Sequence, residues 1–386
     1  MSSPILINLL PFTPRSRTGV FVYALNLVKE LSHVGTEHVY WLAVSADMRD
    51  YMQDALEGRD NVRFVVFGGK YLLVPRIITK LTGRKFFLDM AIRRRLQAVI
   101  NRENVRVVFF PSGAMRPYGL KNAASVVTLF DLQFEYFPEN FTPRHYRLRR
   151  EDNYFSAKKA DAILAISEFT KKNIVEKYGV DGGRITVTHL APQTFTEPKS
   201  SNFPRRFILY PAALWPHKGH GVLLDSLNIL KEKFPDLHVV LTGTEKSGHV
   251  LADLRALSES RGISHKVHYL GHVASGTLRA AYEQASALVF PSSFEGFGIP
   301  ITEAFMLGIP VIAADNTSIP EVVGDAGILV RTGDVEAFAS AIERVLTDKK
   351  LRSDLVARGY ERAKLFSWKK AAMETLEVFQ RLCAAN

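Results

Sequence analysis

Apolar residues in this chain form short continuous runs, and between the runs they often recur every three or four positions. In the first half, runs rich in Val, Ile and Phe predict strands at 4–10, 38–45, 63–68, 105–111, 125–130, 162–166 and 185–190. In the second half, the same pattern predicts strands at 207–213, 238–243, 267–270, 287–290, 310–314 and 327–331. The clearest helical period lies at 19–31, on a face made of Phe21, Ala24, Leu25, Val28 and Leu31.

This alternation predicts an α/β protein with two Rossmann-like, doubly wound parallel sheets, because continuously apolar strands need helices on both faces. A chain of 386 residues is too long for one ordinary core. The polar, proline-containing stretch 191–205 is the predicted linker, which gives an N-terminal domain at 1–195 and a C-terminal domain at 196–369. The last helix, 370–386, is predicted to pack back on the N-terminal domain. Two such domains face a central cleft, where the strand carboxyl ends bind ligands.

Composition narrows the class of protein. Cys383 is the only cysteine, so an intrachain disulfide is impossible and a reducing, cytoplasmic compartment fits. No apolar run reaches the roughly 18 residues of a membrane span. The opening MSSPILINLLPF lacks the basic start and cleavage site of a secretory signal, and it is predicted to form the first strand.

The basic excess lies in the first half of the chain. Residues 1–200 contain 29 lysines and arginines against 19 acidic residues, whereas the remainder contains 21 against 20. Aromatic and basic side chains are mixed over 71–100, including Arg93–Arg95, and arginines recur at 144, 147, 149 and 150. A one-sided basic surface indicates an anionic partner, either nucleic acid or acidic lipid head groups. A solvated helix face is the plain alternative.

The stretch PSSFEGFGIPITEAF, 291–305, carries the most specific chemistry. It follows a predicted strand, and Pro300 takes the favoured first-turn position of the next helix. A helix start preceded by Gly296 and Gly298 presents free backbone N–H groups, which favour phosphate. Glu303, about one turn into the helix, can accept hydrogen bonds from two vicinal hydroxyls such as those of ribose. Glu295, in the bend, can reach the hydroxyls of a sugar beyond the phosphates.

These residues resemble the E-x7-E signature of family-four retaining glycosyltransferases, which have the GT-B fold. The resemblance extends through VHYLGHVASGTLRAAYEQASALVFPS and IPVIAADNTSIPEVVGDAGILV, and so covers nearly the whole second half. It implies that Glu295 contacts the donor sugar and Glu303 the ribose. It also implies that the backbone at Phe297, Gly298 and Ile299 faces the sugar and diphosphate.

Two further second-half segments resemble donor-binding elements of the family. YPAALWPHKGH, 210–220, is similar to a phosphate-clamping segment in which an arginine lies five residues before a lysine. Lys218 matches the lysine, but Ala213 stands at the arginine position, where His217 or a backbone amide is a candidate substitute. The resemblance places Gly243 and His272 beside the nucleotide base.

The first half carries weaker likenesses. PFTPRSRTGVFVYAL resembles the family's glycine loop near the donor diphosphate, with Gly19 as its single glycine. VVTLFDLQFEYFPENF resembles the acceptor-side segment with a His-Asp pair, and here Phe130 replaces the histidine while Asp131 remains. Asp131 is therefore a candidate active-site residue or a helix cap. Ser167, at the start of ISEFTKKNI, is predicted to cap a helix.

The resemblance implies a retaining hexosyltransferase that acts without a cofactor and without a metal. No D-x-D occurs to hold a catalytic divalent ion, so we predict no metal site. The catalytic residues are predicted to be Glu295, Asp131 and Lys218. Mannose from GDP-mannose is the favoured donor, and the expected acceptor is a saccharide or lipid-linked saccharide of cell-surface polysaccharide or O-antigen synthesis. The expected location is cytoplasmic, peripheral on the inner face of the plasma membrane.

Alternatives of several classes stay open. A rhamnosyl-, glucosyl- or galactosyltransferase fits the same motifs. A nucleotide-sugar 2-epimerase of the same fold would need water as its partner and more acidic residues in the cleft from the first half. Ala213 and Phe130 are compatible with a partner protein that has lost activity. An anion-binding protein explains the charge, but no recognised nucleic-acid motif is present, and no nucleic-acid partner is predicted.

Overall fold

A computed structural model describes residues 3–16, 18–68, 86–195, 197, 202–245 and 248–385. The chain forms two compact units. The first unit comprises residues 1–190 together with 368–386, and the second comprises residues 191–367. The predicted features at Arg17, at 71–85 and in most of the stretch 196–201 lie outside the described residues.

The first unit is built on a parallel sheet of seven strands within the described residues, in the order β3-β2-β1-β4-β5-β6-β7. Its strands are β1 Ile5–Asn8, β2 Tyr40–Ser45, β3 Val62–Phe67, β4 Val107–Phe110, β5 Ala124–Leu129, β6 Ala162–Ala165 and β7 Ile185–Val187. Registers such as Ile5 opposite Tyr40 and Ile5 opposite Val107 set β1 between β2 and β4. The strand order reverses between β1 and β4, as in a doubly wound fold.

Helices cover this sheet. They are α1 Gly19–Val34, α2 Ala46–Ala55, α3 Phe86–Arg102, α4 Gln133–Tyr136, α5 Pro143–Lys159, α6 Glu168–Tyr178 and α14 Trp368–Ala385, with 3₁₀ turns at Pro138–Asn140 and Gly182–Arg184. Helix α1 buries Phe21, Ala24, Val28 and Leu31 as predicted, together with Tyr23 and Leu27. Leu25 is only half-buried, because the buried face of the helix includes Tyr23 and Leu27 instead. Ser167 caps α6 by accepting the amide hydrogen of Thr170 at 3.0 Å, which confirms its predicted role.

The last helix, α14, packs in the first unit although the second unit precedes it in sequence. Phe379 is fully buried, with its ring 5.4 Å from that of Phe109 in β4. The Trp368 ring lies 6.1 Å from Tyr23 in α1. Burying such aromatic side chains stabilises a fold by about 1.5–3 kcal/mol each, so α14 is part of the first unit's core.

The second unit is built on a parallel sheet of six strands among its described residues, in the order β10-β9-β8-β11-β12-β13. Its strands are β8 Arg206–Pro211, β9 Leu237–Thr242, β10 Val267–Tyr269, β11 Ala287–Phe290, β12 Val311–Ala314 and β13 Gly327–Val330. Its helices are α7 His220–Leu230, α8 Val250–Ser260, α9 Ser275–Gln284, α10 Ile299–Met306, α11 Ile319–Val323, α12 Val335–Thr347 and α13 Lys349–Ala363, with 3₁₀ turns at Pro216–Lys218 and Ser264–Lys266. β11 is buried at all four positions, which explains its continuous apolar sequence, and α10 is buried at five positions that include the polar Thr302 and Glu303.

The thirteen predicted strands all appear, most of them with ends that differ from the prediction by one to three residues. No helix in the described ranges is both long and apolar enough to cross a bilayer.

Candidate active site

The predicted donor residues of the second half gather at the carboxyl edge of the second sheet. Strands β8 and β11 are neighbours, and the strand order reverses between them, so the segments that follow both strands meet at one point. Lys218 ends the segment after β8, and Glu295 lies in the segment after β11. Ligands of doubly wound folds bind outside the sheet at such a switch point.

Lys218 and Glu295 form an ion pair there. The Lys218 Nζ donates to Glu295 Oε1 at 2.6 Å, with the side chains 17% and 12% exposed. Partial burial makes this pair stronger than a surface salt bridge, since solvent screens it less. The pair places a cation and an anion side by side in one recess that still reaches solvent.

Gly219 allows the two segments to meet. Its φ is +69°, and a Cβ at this position would lie 2.4 Å from the carbonyl oxygen of Pro291. The backbone of the Lys218 segment therefore lies directly on the start of the Glu295 segment. Ser293 completes the contact, because its N–H and its hydroxyl both donate to the carbonyl of His217, at 2.8 Å and 3.0 Å.

Gly243, which follows β9, is a second residue at which two backbone segments lie in close contact. Its φ is +129°, and a Cβ would lie 2.3 Å from the carbonyl oxygen of Ala212. Its N–H donates to the Gly271 carbonyl at 2.7 Å, so the turn after β10 is held beside it. His272, next along that turn, is exposed. The structure thus brings Gly243 and His272 to one edge, and their place beside the nucleotide base stays a prediction.

The bend at 292–298 is held from the strand next to it. The Asn316 Nδ2 donates to the Ser292 carbonyl at 3.0 Å, and the Glu295 N–H donates to Thr317 Oγ1 at 3.1 Å. The hydroxyl of Ser318 donates to the carbonyls of Glu295 and Phe297, at 2.9 Å and 3.1 Å. These contacts fix where Glu295 points, and the sequence reasoning did not foresee them because they come from the segment after β12.

Helix α10 begins where the glycine pattern predicts. Gly298, with a φ of +111°, is the residue before the first helical residue, Ile299, and Pro300 lies in the first turn. The Phe297 side chain is buried with its ring 5.5 Å from that of Phe366, and its carbonyl accepts the Ser318 hydroxyl. The first N–H groups of such a helix favour an anion.

Glu303 is buried rather than a surface charge that complements the helix dipole, with 3% of its surface exposed. The hydroxyl of Tyr282 donates to its Oε2 at 2.6 Å, and Gln193 contributes hydrogen bonds from its side chain and backbone. Burial raises the pKa of the Glu303 carboxyl to about 7, and the hydrogen bonds from Tyr282 and Gln193 oppose that rise. A carboxyl that titrates near neutral pH exchanges between accepting and donating hydrogen bonds.

His217 adds no charge next to Lys218. It is buried, and burial followed by the charges of Lys218 and His220 lowers its pKa to about 3, so the ring is neutral at pH 7. Ala213, at the position where the family has an arginine, is half-buried. Lys218 is accordingly the cation that this segment presents at the edge.

Gly19 and Asp131 belong to the first unit. Gly19 is exposed as the first residue of α1, and a Cβ built there would meet no atom within 4 Å. Asp131 Oδ1 accepts the Gln133 N–H at 3.0 Å, at the start of the short helix α4. The ring of Phe130 lies 5.1 Å from that of Tyr23, which sets the segment after β5 beside α1. The capping alternative for Asp131 is therefore present, and its catalytic role stays a prediction.

Within the described residues, no group of three or more His, Cys, Asp or Glu side chains is arranged to hold a metal ion. Sequence reasoning missed Tyr282 and Gln193. A tyrosine among the small residues of RAAYEQ was the available signal for Tyr282, whereas Gln193 lies in the linker and carried none.

Comparison with known proteins identifies the families that the two halves of the chain match. The family described as Glycosyltransferase Family 4 matches residues 17–191, and the family described as Glycosyl transferases group 1 matches residues 193–362. An O-antigen chain mannosyltransferase B of Escherichia coli is 28% identical over 382 residues, which cover 95% of this chain and 96% of the relative.

Solved structures share the fold. The sucrose-phosphate synthase of Thermosynechococcus elongatus superposes with a TM-score of 0.75 at 19% identity, covering 100% of both chains. Anabaena HepE, solved in complex with UDP and glucose, gives a TM-score of 0.69 at 16% identity, covering 97% of this chain and 99% of HepE.

Two parallel-sheet units with such structural neighbours define the GT-B fold, and the family matches define a glycosyltransferase. Since the two family matches together span almost the whole chain, the protein belongs to the family-four glycosyltransferases with a group 1 domain at its second unit.

Proposed function

We propose that this protein is a retaining mannosyltransferase that transfers mannose from a nucleoside diphosphate donor to a saccharide or lipid-linked acceptor. The observation that carries the proposal is the edge of the second sheet, where Lys218, Glu295 and the start of α10 converge. At this edge, a cation and backbone N–H groups can bind a diphosphate, and carboxylates beside them can bind hydroxyl groups.

Each group has a distinct part in donor binding. Lys218 and the N–H groups at the start of α10 bind the diphosphate, since both present positive charge. Glu303 accepts hydrogen bonds from the ribose, and Glu295, released from Lys218, accepts them from the donor sugar. Gly243 and His272 lie along the base.

Transfer breaks the bond between the sugar's anomeric carbon and the diphosphate oxygen, and forms a bond from that carbon to the acceptor oxygen. The acceptor approaches the face from which the diphosphate leaves, so the anomeric configuration is retained. The acceptor proton passes to a diphosphate oxygen. Lys218 and the backbone N–H groups balance the charge that develops on the leaving group, so the proposal needs no metal ion. Asp131 is proposed to act on the acceptor side, and Gly19 is proposed to lie near the diphosphate, as the sequence predicts.

Mannose and O-antigen synthesis are supported by the E. coli relative, which carries an O-antigen mannosyltransferase name and matches almost the whole chain. We therefore propose GDP-mannose as donor. UDP-glucose is the second candidate, since HepE was solved with UDP and glucose. The protein would act in the cytoplasm, where nucleotide sugars are made.

The test is turnover of a donor panel, GDP-mannose, UDP-glucose, UDP-galactose and dTDP-rhamnose, with mannosylated saccharides and lipid-linked saccharides as acceptors. Product anomers are assigned by NMR. We expect GDP-mannose to give an α-linked product with the configuration of the donor. Lys218→Ala should lower kcat/KM at least about 100-fold, on the order of 3 kcal/mol, because the leaving group loses its cation.

Lys349→Ala is the matched control, since Lys349 is exposed at the start of α13 and should keep full activity. Turnover by Lys218→Ala at the wild-type rate would contradict the site. Nucleotide binding without transfer to any acceptor would favour the inactive-partner alternative, which the Ala213 and Phe130 departures motivate.

A further inference from the structure

Glu303 accepts more hydrogen bonds from neighbouring side chains than its proposed role of binding the ribose hydroxyls requires. Tyr282 lies on α9, the helix that precedes β11, and it has no exposed surface. Its ring lies 5.9 Å from that of Phe195, which limits its rotation. Its hydroxyl therefore reaches Glu303 Oε2, at 2.6 Å, from a fixed direction.

We infer that Tyr282 is a positioning residue, which holds the Glu303 carboxylate in place for the two ribose hydroxyls of the donor. The inference rests on the proposed function. Tyr282 engages Oε2, and since each carboxylate oxygen accepts more than one hydrogen bond, the carboxylate keeps acceptor capacity for the ribose. Gln193 adds hydrogen bonds to the same carboxylate from the start of the second unit.

Tyr282 also favours the ionised form of Glu303. Burial raises the pKa of this carboxyl to about 7, and the Tyr282 hydrogen bond is the largest influence that lowers it. Burial raises the pKa of the Tyr282 hydroxyl well above its usual value, so the tyrosine stays a donor at neutral pH. Without that donor, a larger fraction of Glu303 is protonated at pH 7 and accepts fewer hydrogen bonds.

Other charged groups on the elements around α10 bind elsewhere. Strands β11 and β12 contain no ionisable residue. On α13, Arg352 donates to the Ser286 carbonyl and Arg362 to the carbonyls of Glu321 and Val322. The Lys218–Glu295 pair neutralises itself across the bend. Tyr282 is thus the titratable group that acts directly on Glu303.

The experiment measures the Kd of GDP and of 2′-deoxy-GDP by calorimetry between pH 6 and pH 9, with UDP and 2′-deoxy-UDP in parallel. Wild type should prefer the ribonucleotide at pH 8 and lose that preference as Glu303 protonates below pH 7. In Tyr282→Phe the loss should move upward by about one pH unit, which is a tenfold change in the ionised fraction at a given pH. At pH 9 the variant should regain the wild-type preference.

Tyr23→Phe is the control, because Tyr23 is an equally buried tyrosine whose hydroxyl bonds to Thr128 at 2.8 Å in the first unit. It should leave the pH profile of nucleotide binding unchanged. Gln193→Met, which removes a second hydrogen bond to Glu303, should shift the profile in the same direction as Tyr282→Phe. This second variant keeps the inference testable if Tyr282→Phe does not fold.

The outcomes separate the two claims. If wild type prefers the ribonucleotide but both variants keep its pH profile, the inference about Tyr282 is wrong and the proposed function stands. If wild type binds neither GDP nor UDP, both are wrong. A merely structural role for Tyr282 would lower the melting temperature and leave the ribose preference and its pH dependence intact.

Discussion

At the residue scale, the two glutamates of the E-x7-E stretch have opposite environments. Glu295 is partly exposed and paired with Lys218, whereas Glu303 is buried and bound by neutral donors. The difference follows from position: Glu295 lies in the bend after β11, and Glu303 lies on the inner face of α10. One carboxylate is balanced by a cation, while the other is neutralised by a proton near pH 7.

Glu303 should make stability depend on pH. Its pKa is raised from 4.5 to about 7, so the folded state holds a proton that the unfolded state has lost between these values. Its contribution to the free energy of unfolding is complete below pH 4.5 and is lost as pH rises through 7, by at most about 3 kcal/mol. Glu303→Gln should therefore stabilise the second unit at pH 8 and have little effect at pH 4.5.

Denaturant titrations of wild type and Glu303→Gln at both pH values measure this effect. Glu361→Gln is the control, since Glu361 is a largely exposed carboxylate paired with Lys364. An equal effect of Glu303→Gln at pH 4.5 and pH 8 would show that the carboxyl does not titrate in this range.

At the element scale, the close contact between the segments after β8 and β11 depends on a glycine. Gly219 has a left-handed backbone and no room for a Cβ beside the Pro291 carbonyl. We expect Gly219→Ala to move Lys218 away from Glu295, lower the free energy of unfolding by more than about 2 kcal/mol and abolish most of the turnover.

Gly221→Ala provides the comparison, because Gly221 lies two residues later inside α7 and a Cβ there would meet its nearest neighbour at 3.8 Å. That variant should be as stable as wild type or more stable by up to about 1 kcal/mol, from better helix propensity. Thermal unfolding and kcat/KM of the two variants check this. Equal behaviour of both would contradict the packing described for Gly219.

The sequence predicted the strands well, but it did not predict which residues of different segments contact one another. Period and β-branched composition located every strand, since buried parallel strands are continuously apolar. The pairing of Lys218 with Glu295 spans 77 positions and could not be read from local pattern. Asn316, Thr317 and Ser318 bind the bend through contacts that only the strand order β11-β12 brings together. Tyr282 escaped notice for the same reason.

At the scale of the whole molecule, charge distinguishes the two units. On the first unit, α3 and α5 carry exposed arginines at positions 93, 94, 144 and 147. Arg95 differs, because its guanidinium lies 5.0 Å from the centre of the Phe67 ring. We propose that this basic surface docks on an anionic membrane, where a lipid-linked acceptor would be found.

Replacing those four arginines by glutamine should weaken binding to vesicles of phosphatidylcholine and phosphatidylglycerol at least tenfold, since each near-surface charge contributes roughly 1 kcal/mol. Co-sedimentation at low and high salt measures this, and salt should weaken the wild-type binding. Lys349→Gln with Lys350→Gln, on the second unit, should bind as wild type does. Undiminished sedimentation of the arginine variant would contradict the docking surface.

The ion pair between Lys218 and Glu295 has a consequence for how tightly any diphosphate can be held. The Lys218 ammonium group, which an incoming diphosphate would use, already binds the Glu295 carboxylate. The measured affinity for a diphosphate is then the difference between its binding to Lys218 and the binding of the Glu295 carboxylate. The carboxylate binds the ammonium group again as the product nucleotide dissociates. Under the proposed function, Glu295 competes with the diphosphate for Lys218. Turnover is then faster, because this carboxylate displaces the product nucleotide.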